Sequence, residues 1–134
     1  MDTPDLIENA FQAQRFAYAP YSKFAVGAAL LTKSGKVFLG CNVENISLGL
    51  TMCAEQAAVA SAVASGDIEF VSVAVVSNSK EPVIPCGRCR QILAEFNPGL
   101  EVIASTVDGR IETFQLNALL PLAKQGILES LKNV

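Results

Sequence analysis

The sequence predicts an α/β fold, one domain spanning residues 1–134 in which a central sheet is covered by helices. Three observations carry that expectation. Segments with helical periodicity alternate with short strand-like runs, five of which can be counted. Hydrophobic residues make up 51% of the chain and charged ones only 17%, against roughly 25% in an average soluble domain, so there is material for a well-buried interior. No internal repeat, low-complexity tract or linker divides it.

Thr3-Pro4 opens a first helix, with Thr at the cap and Pro at the first helical position. Ile7, Phe11 and Tyr18 share one face, Ala10, Ala13 and Ala17 lie beside them, and Pro20 ends the run. Two strands follow, Ala25–Lys33 and Lys36–Val43, joined at Ser34-Gly35 by a two-residue hairpin signal. The second helix runs from about Cys53 to Ser65, rich in Ala, Val and Ser that let backbones approach, and Gly66-Asp67 stops it. Phe70–Ser77 is a Val-dense buried strand, and Cys86–Phe96 is a third helix ended by Asn97-Pro98-Gly99. Glu101–Ser105 and Arg110–Phe114 are the last strands, with Asp108-Gly109 turning between them. From Leu116 the tail reads as helical pieces broken by Pro121 and Gly126.

Composition removes several function classes. The net charge is −3 and the isoelectric point near 4.9, without the basic face of a nucleic-acid binder. The absence of His excludes Ser-His-Asp triads, Cys-His dyads and His-liganded metals. Met1–Gln14 is acidic and polar, unlike a signal peptide, and the longest apolar stretches are far too short to span a bilayer. A cytoplasmic protein is expected, with no membrane partner and with its four cysteines serving as metal ligands or buried thiols rather than disulfides.

The placement of three cysteines is the informative feature. Cys86 and Cys89 form a C-x-x-C pair behind Pro85, and Cys53 lies 33 positions before Cys86. Both Cys53 and the pair open predicted helices, whose unpaired N–H groups and partial positive charge favour thiolate over thiol. Two such ends facing each other make a three-thiolate pocket for Zn²⁺, and three protein ligands leave the fourth tetrahedral position open for catalysis. Glu55, on the first turn of the same helix as Cys53, can reach a water in that position without binding the metal. The bland alternative is three inert core cysteines and a carboxylate that complements a helix end. It requires several independent placements to coincide by chance.

The chain resembles the small, homotetrameric type of cytidine deaminase from Phe11 to about Leu120. The resemblance is carried by Tyr18-Ala-Pro-Tyr21-Ser-Lys-Phe24, Val26-Gly-Ala-Ala-Leu30, Gly40-Cys-Asn42-Val-Glu44-Asn45, Cys53-Ala-Glu55 and Pro85-Cys86-Gly-Arg88-Cys89-Arg90-Gln91. It implies an α/β/α layered sandwich around a mixed five-stranded sheet, with active sites near the interfaces of a homotetramer. The implied reaction is hydrolysis of cytidine and 2′-deoxycytidine to uridine and deoxyuridine plus ammonia, a step of pyrimidine salvage. Zinc activates water there, and Glu55 takes its proton, passes it to ring N3 and later protonates the departing amine. Cys53, Cys86 and Cys89 match the metal ligands. Asn42 and Glu44 match residues that hold the ribose 3′-hydroxyl, Phe24 an aromatic on the pyrimidine face, and the backbone near Cys53 and Ala54 the ring edge. Read without the family, Asn42 and Glu44 point the same way at a strand end, which suits a neutral polyol and equally a solvated edge. Phe24 on its own is assigned to the core.

Three thiolates around Zn²⁺ sum to −1, so a compensating positive charge is expected. Here the chain departs from the commonest family pattern, in which Arg follows the catalytic Glu. Gln56 follows Glu55, and Arg88 stands between the paired cysteines, which reads as relocation of one charge. Two further departures are Leu48 and Lys124, where family members carry aromatics that reach a neighbouring subunit's site; Lys124 is expected to be solvated. Cys41 is read as a small buried thiol. Its alternative, a fourth ligand in a closed Cys₄ site, would make the protein a non-catalytic interaction module. Within the same chemistry, a blasticidin S deaminase is the competing reading, and Asn42-Val-Glu44-Asn45 favours an ordinary ribose.

Overall fold

The computed structural model describes residues 1–124 and Leu128. Helix α1 (Thr3–Gln14) is capped one residue earlier than the sequence predicts: Asp5 N–H donates to the Asp2 carboxylate at 2.9 Å, which places Pro4 inside the first turn. It also ends well before Pro20. Gln14 Nε2 donates to Ala25 O at 3.0 Å, and the 13–17 backbone tightens through Phe16 N–H to Ala13 O and Ala17 N–H to Gln14 O. Tyr18 is therefore off the helix and exposed, bridged instead to Val43, and the buried face of α1 is Leu6, Ala10, Ala13 and Gln14.

Strands β1 (Val26–Thr32), β2 (Val37–Cys41), β3 (Phe70–Ser77), β4 (Glu101–Thr106) and β5 (Ile111–Gln115) form one sheet in the order β2-β1-β3-β4-β5. β3 and β4 run parallel and every other neighbouring pair antiparallel, so the expected mixed five-stranded sheet is present. The first hairpin is not two-residue. Thr32 N–H donates to Lys36 O and leaves Lys33-Ser34-Gly35 as the loop, with Gly35 at φ +89°; Thr106, Arg110 and Gly109 (φ +93°) repeat the device in the second. Only glycine enters that region freely.

Alternation along the strands supplies two cores. Ala29, Ala74, Val76 and Ile103 pack on Leu6 and Ala10 of α1. Ala28, Leu30, Val73, Val75 and Val102 face the other way, onto α2 (Ala54–Ala64), α3 (Gly87–Phe96) and the short α4 (Leu116–Leu119). That is the α/β/α sandwich. The turn at Pro121 follows α4, whereas the break expected at Gly126 lies outside the described residues.

The topology gathers one end of the sheet. β2 and β3 both lie antiparallel to β1, so they point the same way, and the helices that follow them begin at the same end. Register makes this concrete, since Val26 pairs with Ser77 and Gly27 with Cys41. Ligand sites in open α/β sheets sit beyond the carboxyl ends of strands, and here the N-termini of α2 and α3 converge there.

Candidate active site

Cys53 is the N-cap of α2 and Cys86 the N-cap of α3, with Cys89 one turn inside α3 and completely buried. Neither cap side chain bonds its own helix, so the sulfurs stay available. The three Sγ atoms lie within 4.8 Å of one another, and among the described residues they form a cluster that Cys41 does not join. A tetrahedral zinc with bonds of about 2.3 Å would set its sulfurs roughly 3.8 Å apart, so the trio needs at most a small contraction to close on an ion. Cys41 sits in β2, partly rather than fully buried, and burial pushes its thiol up.

The sulfurs already share protons unequally. Cys53 is pulled down to about 6, chiefly because the Cys89 thiol donates to it, with Cys86 and the Arg88 charge helping and burial opposing. Cys89, donating and buried beside negative neighbours, is pushed up. Arg88 is exposed on the first turn of α3, its Nη1 3.5 Å from Thr51 O, where its charge acts on Cys53 from outside the cavity.

Glu55, on the first turn of α2, is only 5% exposed. Burial, reinforced slightly by the Cys53 charge, raises its carboxyl from the ordinary 4.5 to about 7. A carboxylate held at that point can both accept and return a proton near neutrality.

Cys53, Ala54, Glu55, Cys86 and Cys89 share one cavity of about 370 Å³ with Phe24, Asn42 and Glu44. This volume suits a small-molecule ligand, within the range of about 300–1,000 Å³. Every sequence-predicted catalytic, metal and substrate position thus lies on one cavity wall or another, and Arg88 lies outside it. The polar pair has a second task that the sequence hides. Asn42 accepts from Val26 N–H at 2.9 Å and donates to Phe24 O at 2.7 Å, fixing the backbone on both sides of Ala25. Glu44 accepts from the N–H groups of Tyr21 and Ser22 at 3.0 and 3.1 Å and from the Ser22 hydroxyl, contacts that hold its carboxyl below the usual carboxylate range. Each side chain still has hydrogen-bonding capacity left for a ligand.

Ser22, Thr51, Val83 and Ile84 also line the cavity and were not singled out by the sequence. Val83 and Ile84 directly precede Pro85-Cys86, and Ser22 lies two residues before Phe24, so proximity to the motifs is their only signal. Lys124 is elsewhere: its Nζ is 3.3 Å from Glu95 O near the end of α3, a cation at a helix C-terminus. Leu48 stands exposed on the 3₁₀ turn Leu48–Leu50, beside Thr51 at the cavity rim.

A family model, the cytidine and deoxycytidylate deaminase zinc-binding region, matches residues 2–105. A cytidine deaminase of Halalkalibacterium halodurans is 48% identical over 122 residues, covering 90% of this chain and 92% of that protein. The crystal structure of a cytidine deaminase from Burkholderia pseudomallei superposes with a TM-score of 0.88 at 49% identity, over 91% of this chain and 98% of that one. That of the Mycobacterium tuberculosis cytidine deaminase gives 0.81 at 43% identity, over 95% and 99%. Sequence, fold and the cysteine cluster agree, and the chain belongs to the cytidine and deoxycytidylate deaminase family of hydrolytic deaminases.

Proposed function

We propose that the protein deaminates cytidine and 2′-deoxycytidine with a zinc ion held by Cys53, Cys86 and Cys89. The observation that carries this reading is the meeting, in one nucleoside-sized cavity, of three sulfurs at two helix N-termini with a buried carboxyl poised at about 7. Zinc, when bound, supplies the Lewis acidity that brings the ionisation of water down to about 7. Cys53, Cys86 and Cys89 would hold the ion, and Cys41, which stands apart from them, would leave it room for water.

The chain's own residues supply the rest. Glu55 accepts a proton from the attacking water and delivers it to ring N3, which makes C4 electrophilic; it then takes the proton of the new C4 hydroxyl and passes it to the 4-amino group, which leaves as ammonia while the C4 carbonyl forms. Cytidine plus water thereby becomes uridine plus ammonia. Phe24 packs on the pyrimidine face, the backbone at Cys53 and Ala54 meets the ring edge, and Asn42 and Glu44 take the 3′-hydroxyl with the capacity they retain. Arg88 offsets the surplus negative charge of three thiolates, in keeping with its pull on Cys53. The net charge of −3 fits a free nucleoside rather than a nucleic acid as substrate. The proposed setting is cytoplasmic pyrimidine salvage, and no described helix is long and apolar enough to cross a membrane. The proposed assembly is a homotetramer with its active sites near the interfaces.

An ultraviolet assay across cytidine, deoxycytidine, cytosine, adenosine and blasticidin S, with zinc measured on the same preparation, tests the reading. Turnover of the first two nucleosides and about one zinc per chain are expected from a single three-sulfur site. Turnover of blasticidin S alone would transfer the chemistry to the competing substrate, and a metal lost on Cys41→Ser would favour the closed structural site.

A further inference from the structure

Phe24 enters the cavity on a segment whose backbone is held at a disadvantage. Lys23, the residue before it, has φ +61°, in the left-handed region that side-chain-bearing residues enter at a cost. Such strain persists where surroundings over-determine it. Lys23 N–H closes the turn onto Ala19 O at 3.0 Å. Glu44 and Asn42 hold Tyr21, Ser22, Phe24 and Val26 but do not bond Lys23. Its carbonyl is held from another element altogether: Asn78 Nδ2 donates to Lys23 O at 3.1 Å. Asn78 follows β3 directly, on the connection that also brings Val83, Ile84 and Cys86 to the cavity.

We propose that Asn78 is a positioning residue for the substrate, latching the Lys23 carbonyl and so fixing the spacing between Phe24 and the cavity residues of the β3–α3 connection. The inference rests on the deaminase reading above. Asn78 does not line the cavity, so it acts through Phe24. Without the latch, Lys23 relaxes out of its left-handed state, Phe24 is in place for a smaller share of the time, and apparent affinity falls by that share. Glu55 and the three cysteines lie on α2 and α3 and do not depend on it, so the chemical step keeps its rate.

The test compares steady-state deamination of cytidine by the wild type with that by Asn78→Ala and Asn78→Asp, the latter replacing the donor by an acceptor facing a carbonyl. Both should raise KM roughly three- to tenfold, the loss of one hydrogen bond, with kcat within about twofold. Hydrogen exchange should quicken in residues 20–26 while the cores stay protected. Adding Lys23→Gly to Asn78→Ala should return KM to within about twofold of wild type, because glycine adopts this φ without penalty. An unchanged KM in both variants, a fall in kcat as large as that in kcat/KM, or no recovery with Lys23→Gly overturns the latch. A wild type that leaves cytidine untouched overturns the deaminase reading instead.

Discussion

At the scale of single residues, Glu55 shows how one burial serves chemistry at a cost in stability. The folded chain holds its proton up to about 7 while the unfolded chain releases it near 4.5, so stability falls as pH rises through that window and stays lowered above it. In metal-free protein, Glu55→Gln should add stability on the order of 3 kcal/mol at about pH 8, with the gain vanishing below about pH 4, as measured by urea denaturation. The same variant should lose at least about 10²–10⁴-fold in cytidine turnover while still binding zinc. Residues of this kind are legible in a sequence because their chemistry dictates both type and spacing: Cys53, Glu55, Cys86 and Cys89 have few alternatives. Ser22 and Asn78 are not legible, since the Glu44 carboxylate that the Ser22 hydroxyl donates to and the Lys23 carbonyl that Asn78 donates to are brought near them only by the finished fold. Asn42 and Glu44 fall between, their alternation visible and their grip on residues 21–26 hidden.

Elements were readable where their ends carry local signals, and less so where tertiary bonds decide. Cys53 and Cys86 stand at the helix starts expected of them, and the five strands fall close to their predicted spans. The C-terminus of α1 does not, because alanine periodicity continues past Gln14 while the side chain of Gln14 is drawn off to Ala25. The closeness of α2 to β2 could be foreseen only as a tendency of small residues. A Cβ on Gly40 would stand 2.2 Å from Ala54 O and 2.5 Å from Ala58 N, both helix backbone atoms that cannot swing aside. Gly40→Ala should therefore push back the end of α2 that bears Cys53 and Glu55. A loss of at least about 1–3 kcal/mol in denaturant melts, together with weaker zinc retention against a chelator, is the expected result.

For the molecule as a whole, one run of exposed apolar side chains leads up to the site. Ile46, Leu48 and Leu50 are 81%, 72% and 71% exposed beside Thr51 on the cavity rim, more than an isolated chain gains by showing to water. The proposed homotetramer would cover them. Sedimentation should give the mass of four chains, and the double variant Leu48→Glu/Leu50→Glu should yield smaller species with reduced activity; a wild type that sediments as one chain would exclude this assembly. Composition does not specify such a surface, because an apolar residue on a turn counts the same as one in the core until the fold is known. The Glu44 carboxylate is engaged with Tyr21 and Ser22 before any ligand arrives, so the corner proposed to receive the sugar is also a structural joint. An engineer retuning the enzyme toward an altered sugar cannot treat that position as a free dial: each exchange there also unfastens the neighbouring turn, and Ser22 is the natural companion site for a repair.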